Sequence, residues 1–250
     1  MLNQERQAQI IEILQKAKGF VTVKTLCDTL YASESSIRRD LKALESGGLV
    51  KRSYGGAMFI ENHSGIGTFS SRTRQNAEAK KEIAQKAAGL IPDGSVIFLD
   101  QSSTAFYLAH ALLERKSVTV VTNNIEILML LSRSGLRVMA SGGYLSGDNR
   151  NCLIGGDARR TFADVYADFV FFSVKAITKD GEVTDCSREE ILVRDEMLRC
   201  AKKKVLLCDS AKFESRAPFR QCHLTDVDYL ICEGDCAQAF SDFADSVILL

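Results

Sequence analysis

Apolar positions in the first sixty residues recur at helical spacing in three separate stretches. Ile10, Ile13, Leu14 and Ala17 define a first helix over residues 3–17, with Gly19 as its stop. Val23, Leu26, Cys27 and Leu30 define a second, with Thr22 placed to cap it. After a Tyr31-Ala32-Ser33 connection, Ile37, Leu41 and Leu44 form a third stripe that ends at Gly47-Gly48, and Ser35, Ser36, Arg38, Arg39 and Lys42 lie largely off it. The run LVKRSYGGAMF then alternates and turns at Gly55-Gly56, the pattern of a β-hairpin. Three short helices followed by a hairpin predict a winged helix-turn-helix, whose third helix offers hydroxyls and guanidiniums to base edges and phosphates. A small helical bundle with merely solvated arginines has the same periodicity, so the pattern alone leaves both readings open.

Residues 61–68, ENHSGIGT, read as a linker, and a helix is expected over residues 76–90 with Ala77, Ile83, Ala84, Ala87 and Leu90 for packing and a solvated Lys80-Lys81 pair. From Ser95 the pattern changes. Short apolar runs alternate with amphipathic helices: SVIFL and a helix over 104–114, VTVVT and a helix over 125–133, then LRVMAS. DFVFFSV, a helix over 187–203, KVLLCDS, DYLIC and SVILL follow. This alternation predicts a mainly parallel α/β sheet covered by helices. The domains expected are a winged helix-turn-helix over 1–60, a linker over 61–75 and an α/β domain over 76–250.

Charge sharpens this division. Residues 1–60 hold nine Lys/Arg against six Asp/Glu, whereas the remaining 190 hold 23 against 26, so the basic excess is confined to the front of a neutral chain. No apolar run is long enough to span a bilayer, and the opening MLNQERQAQI lacks the apolar core of a secretory signal, which predicts a cytoplasmic protein. The eight cysteines are scattered and mostly sit in apolar stretches, as reduced core residues do. Cys222, His223, Cys232 and Cys236 lack zinc-site spacing, so no metal and no cofactor is expected.

In a parallel sheet, ligands bind where strands end and helices begin, because helix N-termini offer free N–H groups to anions. Small polar residues stand at these points: Asp100, Gln101, Ser102, Ser103 and Thr104; Thr122, Asn123 and Asn124; Ser141, Gly142 and Gly143; Ser173 and Lys175; and Asp209 with Lys212. Hydroxyls there can bond phosphate oxygens, Lys175 or Lys212 can neutralise charge, and Asp100, Asn123 or Glu190 can accept from sugar hydroxyls. Each loop taken alone is equally explained by helix capping.

Two motifs resemble a known family. Ser33-Glu34-Ser35-Ser36-Ile37-Arg38-Arg39-Asp40-Leu41, Leu44-Glu45 and Arg52-Ser53-Tyr54-Gly55-Gly56-Ala57 resemble the DNA-binding signature of the DeoR family of bacterial transcription regulators. The resemblance implies that the third helix is the recognition helix, that Arg38 and Arg39 bind DNA, and that Arg52, Tyr54, Gly55 and Gly56 belong to the wing. It continues through Phe69, Arg72, Lys80, Ile83 and Ala84 into an effector domain similar in fold to ribose-5-phosphate isomerase, matched at Asp100 to Thr104, Thr122-Asn123, Gly142-Gly143, Glu189-Glu190 and Asp209 to Phe213. It implies a double-stranded DNA operator, with repression the commoner mode, and a phosphorylated sugar or similar metabolite as effector.

Several positions depart from the family pattern. Ser36 replaces a usual Thr and Tyr54 a frequent His; Ser102 replaces a glycine, and Ser173-Val174-Lys175-Ala176 replaces a glycine-rich turn. Side chains thus occupy space that backbone alone leaves open. Two other functions stay in view. An isomerase-like enzyme would draw on Glu190, Asp100 and Lys212 but lacks that enzyme's lysine-glycine loop, and a regulator with a vestigial pocket would act through protein contacts. A single winged module has a small footprint, so a homo-oligomer held by the α/β domain is expected.

Overall fold

The computed structural model describes residues 3–17, 19–46, 50–59 and 68–250. The chain divides into two units, 1–70 and 71–250. The expected Gly47-Gly48 stop and all of the linker before Thr68 lie outside the described residues.

In the first unit, α1 (Asn3–Ala17), α2 (Val23–Leu30) and α3 (Glu34–Ser46) close around Ile10, Leu14, Leu26, Ile37 and Leu41. Strands β1 (Phe20–Thr22), β2 (Val50–Ser53) and β3 (Gly56–Phe59) form an antiparallel sheet in the order β1-β3-β2. The Thr22 hydroxyl caps α2 by accepting from the Thr25 N–H at 3.1 Å, and Ser33 serves α3 by accepting from the Ser36 N–H at 3.3 Å. The two wing glycines answer different needs. Gly55 sits at φ +83°, and a Cβ on Gly56 would lie 2.2 Å from the Val21 carbonyl oxygen, so one supplies the turn and the other lets β1 approach β3.

The division falls within α4 (Phe69–Arg74). Beyond it come the helices α5 (Ala77–Gly89), α6 (Ser103–Ala111), α7 (Ile125–Leu131), α8 (Gly156–Ala163) and α9 (Arg188–Cys200). The strands are β4 (Val96–Leu99), β5 (Thr119–Thr122), β6 (Arg137–Ala140), β7 (Tyr144–Leu145), β8 (Leu153–Ile154) and β9 (Ala167–Phe172). They continue with β10 (Ala176–Ile177), β11 (Glu182–Asp185), β12 (Ala201–Leu207), β13 (Phe219–His223), β14 (Tyr229–Ile231) and β15 (Ile248–Leu249).

Seven strands form one parallel sheet in the order β15-β14-β12-β9-β4-β5-β6. The apolar runs are continuous because both faces are covered. Ile97 and Leu99 face α5, α6 and α7, while Phe98, Val170 and Phe172 face α8 and α9. Strand order runs outward in one direction from β4 and in the other from β9, so the topological switch lies between these two neighbours.

Three expectations are corrected. The helix foreseen over 187–203 stops at Cys200, because Ala201 and Lys203 pair with Ala167 and Phe169 and tertiary pairing overrides helix propensity. Lys80 is buried rather than solvated, whereas Lys81 is exposed and pairs with Glu78 at 2.7 Å. The β7–β8 hairpin, α8 and the antiparallel sheet β10-β11-β13 were not foreseen; β7, β8 and β10 are two residues long and carry no readable alternation. Among the described residues no helix is long and apolar enough to cross a membrane.

Candidate nucleic-acid interface and effector site

On α3 the buried stripe is Ile37, Asp40, Leu41 and Leu44. The Asp40 carboxylate accepts from Arg6 Nε at 2.5 Å and Gln7 Nε2 at 3.2 Å, so it fastens α1 to α3 and does not face outward. Ser35, Arg38, Arg39 and Lys42 are exposed on the other face, and Ser36 is half-buried. Arg38 donates to Glu34 Oε1 at 2.8 and 2.6 Å, while Arg39 and Lys42 have no ion pair among the described residues. The wing is tied to α3 by Glu45, which accepts from the Arg52 N–H at 3.0 Å and pairs with the Arg52 guanidinium at 2.8 Å. Tyr54 projects from the wing tip fully exposed, and with Arg38, Arg52 and Gly55 it lines an open groove between helix and hairpin. Exposed ion pairs of this kind cost little to exchange for phosphate.

In the second unit Asp100 occupies the switch point. Its Oδ1 accepts from the Ser102 N–H at 3.0 Å, and its Oδ2 accepts from the Ser173 N–H and Arg194 Nε, each at 3.2 Å. One carboxylate thereby joins the loops after β4 and β9. Ser102 caps α6 by accepting from the Ala105 N–H at 3.0 Å, and Ser103 and Thr104 form the buried first turn. One strand over, the Thr122 hydroxyl accepts from the Asn124 N–H, Asn124 caps α7, and Asn123 Nδ2 donates to the Leu153 carbonyl.

Capping therefore explains Ser102 and Asn124 Oδ1. It does not explain Gln101 Oε1, Thr104 Oγ1, Asn123 Oδ1, Asn124 Nδ2 and Asn149 Nδ2, which are buried with no hydrogen-bond partner among the described residues. The Gly142-Gly143 turn is exposed and packed against its neighbours, since a Cβ on Gly143 would lie 2.2 Å from the Ile154 carbonyl oxygen.

Charge gathers at the adjoining loop after β12. Asp209 accepts from Asn76 Nδ2 at 2.7 Å and pairs with Lys212 Nζ at 3.4 Å. Lys212 also donates to the Ser173 hydroxyl at 2.8 Å, and that hydroxyl donates to the Leu207 carbonyl at 2.5 Å. A side chain at position 173 thus fixes the ammonium. Lys80 donates to the Arg72 and Gln75 carbonyls at 2.5 and 2.6 Å, so two of its three donors are satisfied. Burial first, then the charges of Lys212 and Arg72, push its pKa down to about 8 against the pull of Asp209.

Glu190 accepts from Gln101 Nε2 at 2.8 Å and from Cys152 Sγ at 3.7 Å; burial raises its pKa, and Asp185 raises it further. Arg194, 1% exposed, reaches Asp100, Asp185 at 2.9 Å and Gln221 at 2.7 Å. Burial works against its charge, but Asp185 and Asp100 outweigh it and push its pKa upward. Lys175 is exposed and has no ion pair among the described residues.

The structure thus joins Asp100, Ser173, Asp209 and Lys212 in one network and Gln101 with Glu190 beside it, with Lys175 and the two glycines at the exposed rim. Sequence reasoning passed over Arg194, Asn76 and Asn149 and misread Lys80. Arg194 and Lys80 carried a signal, since each stands at helical spacing within an apolar stripe: Glu190, Val193, Arg194 and Met197 on α9, and Lys80, Ile83, Ala84 and Ala87 on α5.

Comparison with known proteins gives concordant matches. A family model described as a DeoR-like helix-turn-helix domain matches residues 6–63, and one described as a DeoR C terminal sensor domain matches residues 75–234. The HTH-type transcriptional repressor GlcR of Bacillus subtilis is 31% identical over 98% of this chain and 94% of its own length. The glycerol-3-phosphate regulon repressor of Escherichia coli is 30% identical over 91% of this chain and 90% of its own. Among solved structures, ribose 5-phosphate isomerase A of Methanocaldococcus jannaschii is similar over 56% of this chain and 55% of that one, with 18% identity and a TM-score of 0.43.

Proposed function

This chain belongs to the DeoR family of DNA-binding transcription regulators, and we propose that it reads its operator with α3 and the wing under control of a phosphorylated sugar or similar metabolite bound at the carboxyl edge of the parallel sheet. Ser35, Ser36, Arg38, Arg39, Lys42, Arg52 and Tyr54 face the DNA, with Gly55 and Gly56 shaping the wing. Arg39 and Lys42 supply cations that need not leave a partner first.

One observation carries the effector assignment. Beside the switch point, Lys80 lies close to Lys212, Asp209 and Arg72, while buried oxygens of Gln101, Thr104 and Asn123 and amide nitrogens of Asn124 and Asn149 have no partner among the described residues. Lysine ammonium groups held at this edge suit a phosphate, and unpaired buried acceptors and donors suit sugar hydroxyls. Relatives named as glycerol-3-phosphate regulon repressors support this class of effector.

The site is read as a sensor and not as an enzyme. Asp100 is held by two backbone N–H groups and Arg194 as a link between two loops, and Glu190 is held by Gln101 and Cys152, positions that suit a fixed binding framework. Two copies are expected to act together on paired half-sites. Thermal unfolding against a panel of sugar phosphates tests the effector: a true ligand at 100 times its Kd stabilises by about 2.7 kcal/mol. No stabilisation by any of them would favour a regulator whose pocket is filled by Ser102 and Ser173.

A further inference from the structure

The parallel sheet ends on two unlike edges. β15 is two residues long and offers little to an incoming strand. β6 is four residues long, pairs among the described residues with β5 alone, and is exposed or half-buried throughout. Apolar side chains flank it on both faces. Met139, 43% exposed, pairs in register with Val121 on the face that α8 and α9 cover, and Met129 of α7, 65% exposed, stands on the other.

Charge is polarised along the same edge. α7 runs opposite to β6, so Arg133 and Arg137 stand at the amino end of the strand and Glu126 at its carboxyl end. None of the three has an ion pair among the described residues.

We infer that β6 pairs antiparallel with β6 of a second copy about a two-fold axis, continuing the sheet from one chain into the other. The inference rests on the reading of the chain as a self-associating regulator and names the surface it uses. Antiparallel pairing sets the amino end of one β6 beside the carboxyl end of the other and brings the two α7 helices side by side on one face, so Arg133 of each copy comes level with Glu126 of its mate, twice over. Parallel pairing would set like charge beside like. The two-fold contact also satisfies the outward N–H and C=O groups of β6 and covers Met129 and Met139.

Sedimentation equilibrium on the full chain tests this. Glu126→Arg is expected to weaken self-association about tenfold, as is Arg133→Glu, because each places like charges together. The two substitutions combined are expected to restore it to within about threefold of the unsubstituted chain, a rescue that a folding defect would not give. Met139→Lys weakens it independently, and circular dichroism of every variant is expected to be unchanged. An oligomer that ignores Glu126→Arg, or a double variant as weak as its parents, would overturn this surface alone. An unsubstituted chain that is monomeric while bound to its operator would overturn the self-association reading as well.

Discussion

Arg39 and Arg194 carry the same guanidinium and are used in opposite ways. Arg39 stands on α3 exposed and without an ion pair among the described residues, whereas Arg194 is buried on α9 between two carboxylates. The difference extends to the units around them. The surface proposed to face DNA keeps its cations outward and exchangeable, as suits phosphates met across a solvated surface with little to undo. The effector unit draws its charges inward and fixes them through Asp100, Ser173 and Asp209, since a small ligand is recognised by groups already in position. If this contrast is right, substitutions in the first unit affect DNA binding with little cost to the fold, and those in the second affect either the fold or the response to ligand.

The largest effect is expected from Arg38→Ala with Arg39→Ala. If each side chain contacts a base at about 1–3 kcal/mol, the pair loses about 2–6 kcal/mol of operator affinity while the unfolding transition stays in place. Unchanged binding in a gel-shift titration would break the assignment of α3. Asp100→Ala acts on the other side of the comparison: it leaves Arg194 with one carboxylate fewer in a buried setting, and denaturant unfolding is expected to register a loss of about 3–5 kcal/mol. Full stability in that variant would mean that the network is not what holds the switch point.

Next comes Lys212→Ala. With Lys212 half-buried and held by Ser173 and Asp209, its charge-assisted contact with a phosphate is worth about 1.5–3 kcal/mol, so effector affinity measured by calorimetry should fall roughly ten- to 150-fold. A smaller effect is expected from pH. Lys80 has its pKa lowered to about 8, so its positive charge is present below that value and lost above it. Effector affinity should therefore decline as pH rises through 8, by up to about tenfold per unit, and a flat profile would remove Lys80 from the site. The same lowered pKa makes the free protein gain stability as pH rises from 8 toward 10.5, where the unfolded chain binds the extra proton. The smallest effect belongs to Lys175→Ala, since an exposed ion pair is worth about 0.2–1 kcal/mol. A loss equal to that of Lys212→Ala would instead place Lys175 at the phosphate.

Much of this was legible in the sequence, and its limits have a physical cause. Periodicity located α1, α2 and α3, and continuous apolar runs announced a sheet buried on both faces, because burial writes itself into hydrophobic spacing. The site was legible as a set of polar loops, but capping and ligand contact use the same residue types, and only atom-level partners separate Asn124 Oδ1, which caps α7, from Asn124 Nδ2, which has no partner among the described residues. Asp40, Lys80 and Arg194 were misread or passed over for a shared reason. Each is a charge at a stripe position, where the side chain's chemistry says surface and its spacing says core. In all three the spacing was the better guide, because a buried partner was waiting: Arg6 for Asp40, backbone carbonyls for Lys80, and Asp100 and Asp185 for Arg194.

The division of labour between the two units is tested most directly by operator affinity measured by fluorescence anisotropy, with and without a saturating stabilising sugar phosphate, in the unsubstituted chain and in Lys212→Ala. A coupling of about 1–3 kcal/mol predicts a shift of about 5–150-fold in the unsubstituted chain. Lys212→Ala is expected to match its affinity in the absence of effector and to need roughly ten- to 150-fold more effector for the same shift. An equal effector requirement in both proteins, or loss of operator binding by Lys212→Ala alone, would contradict the account.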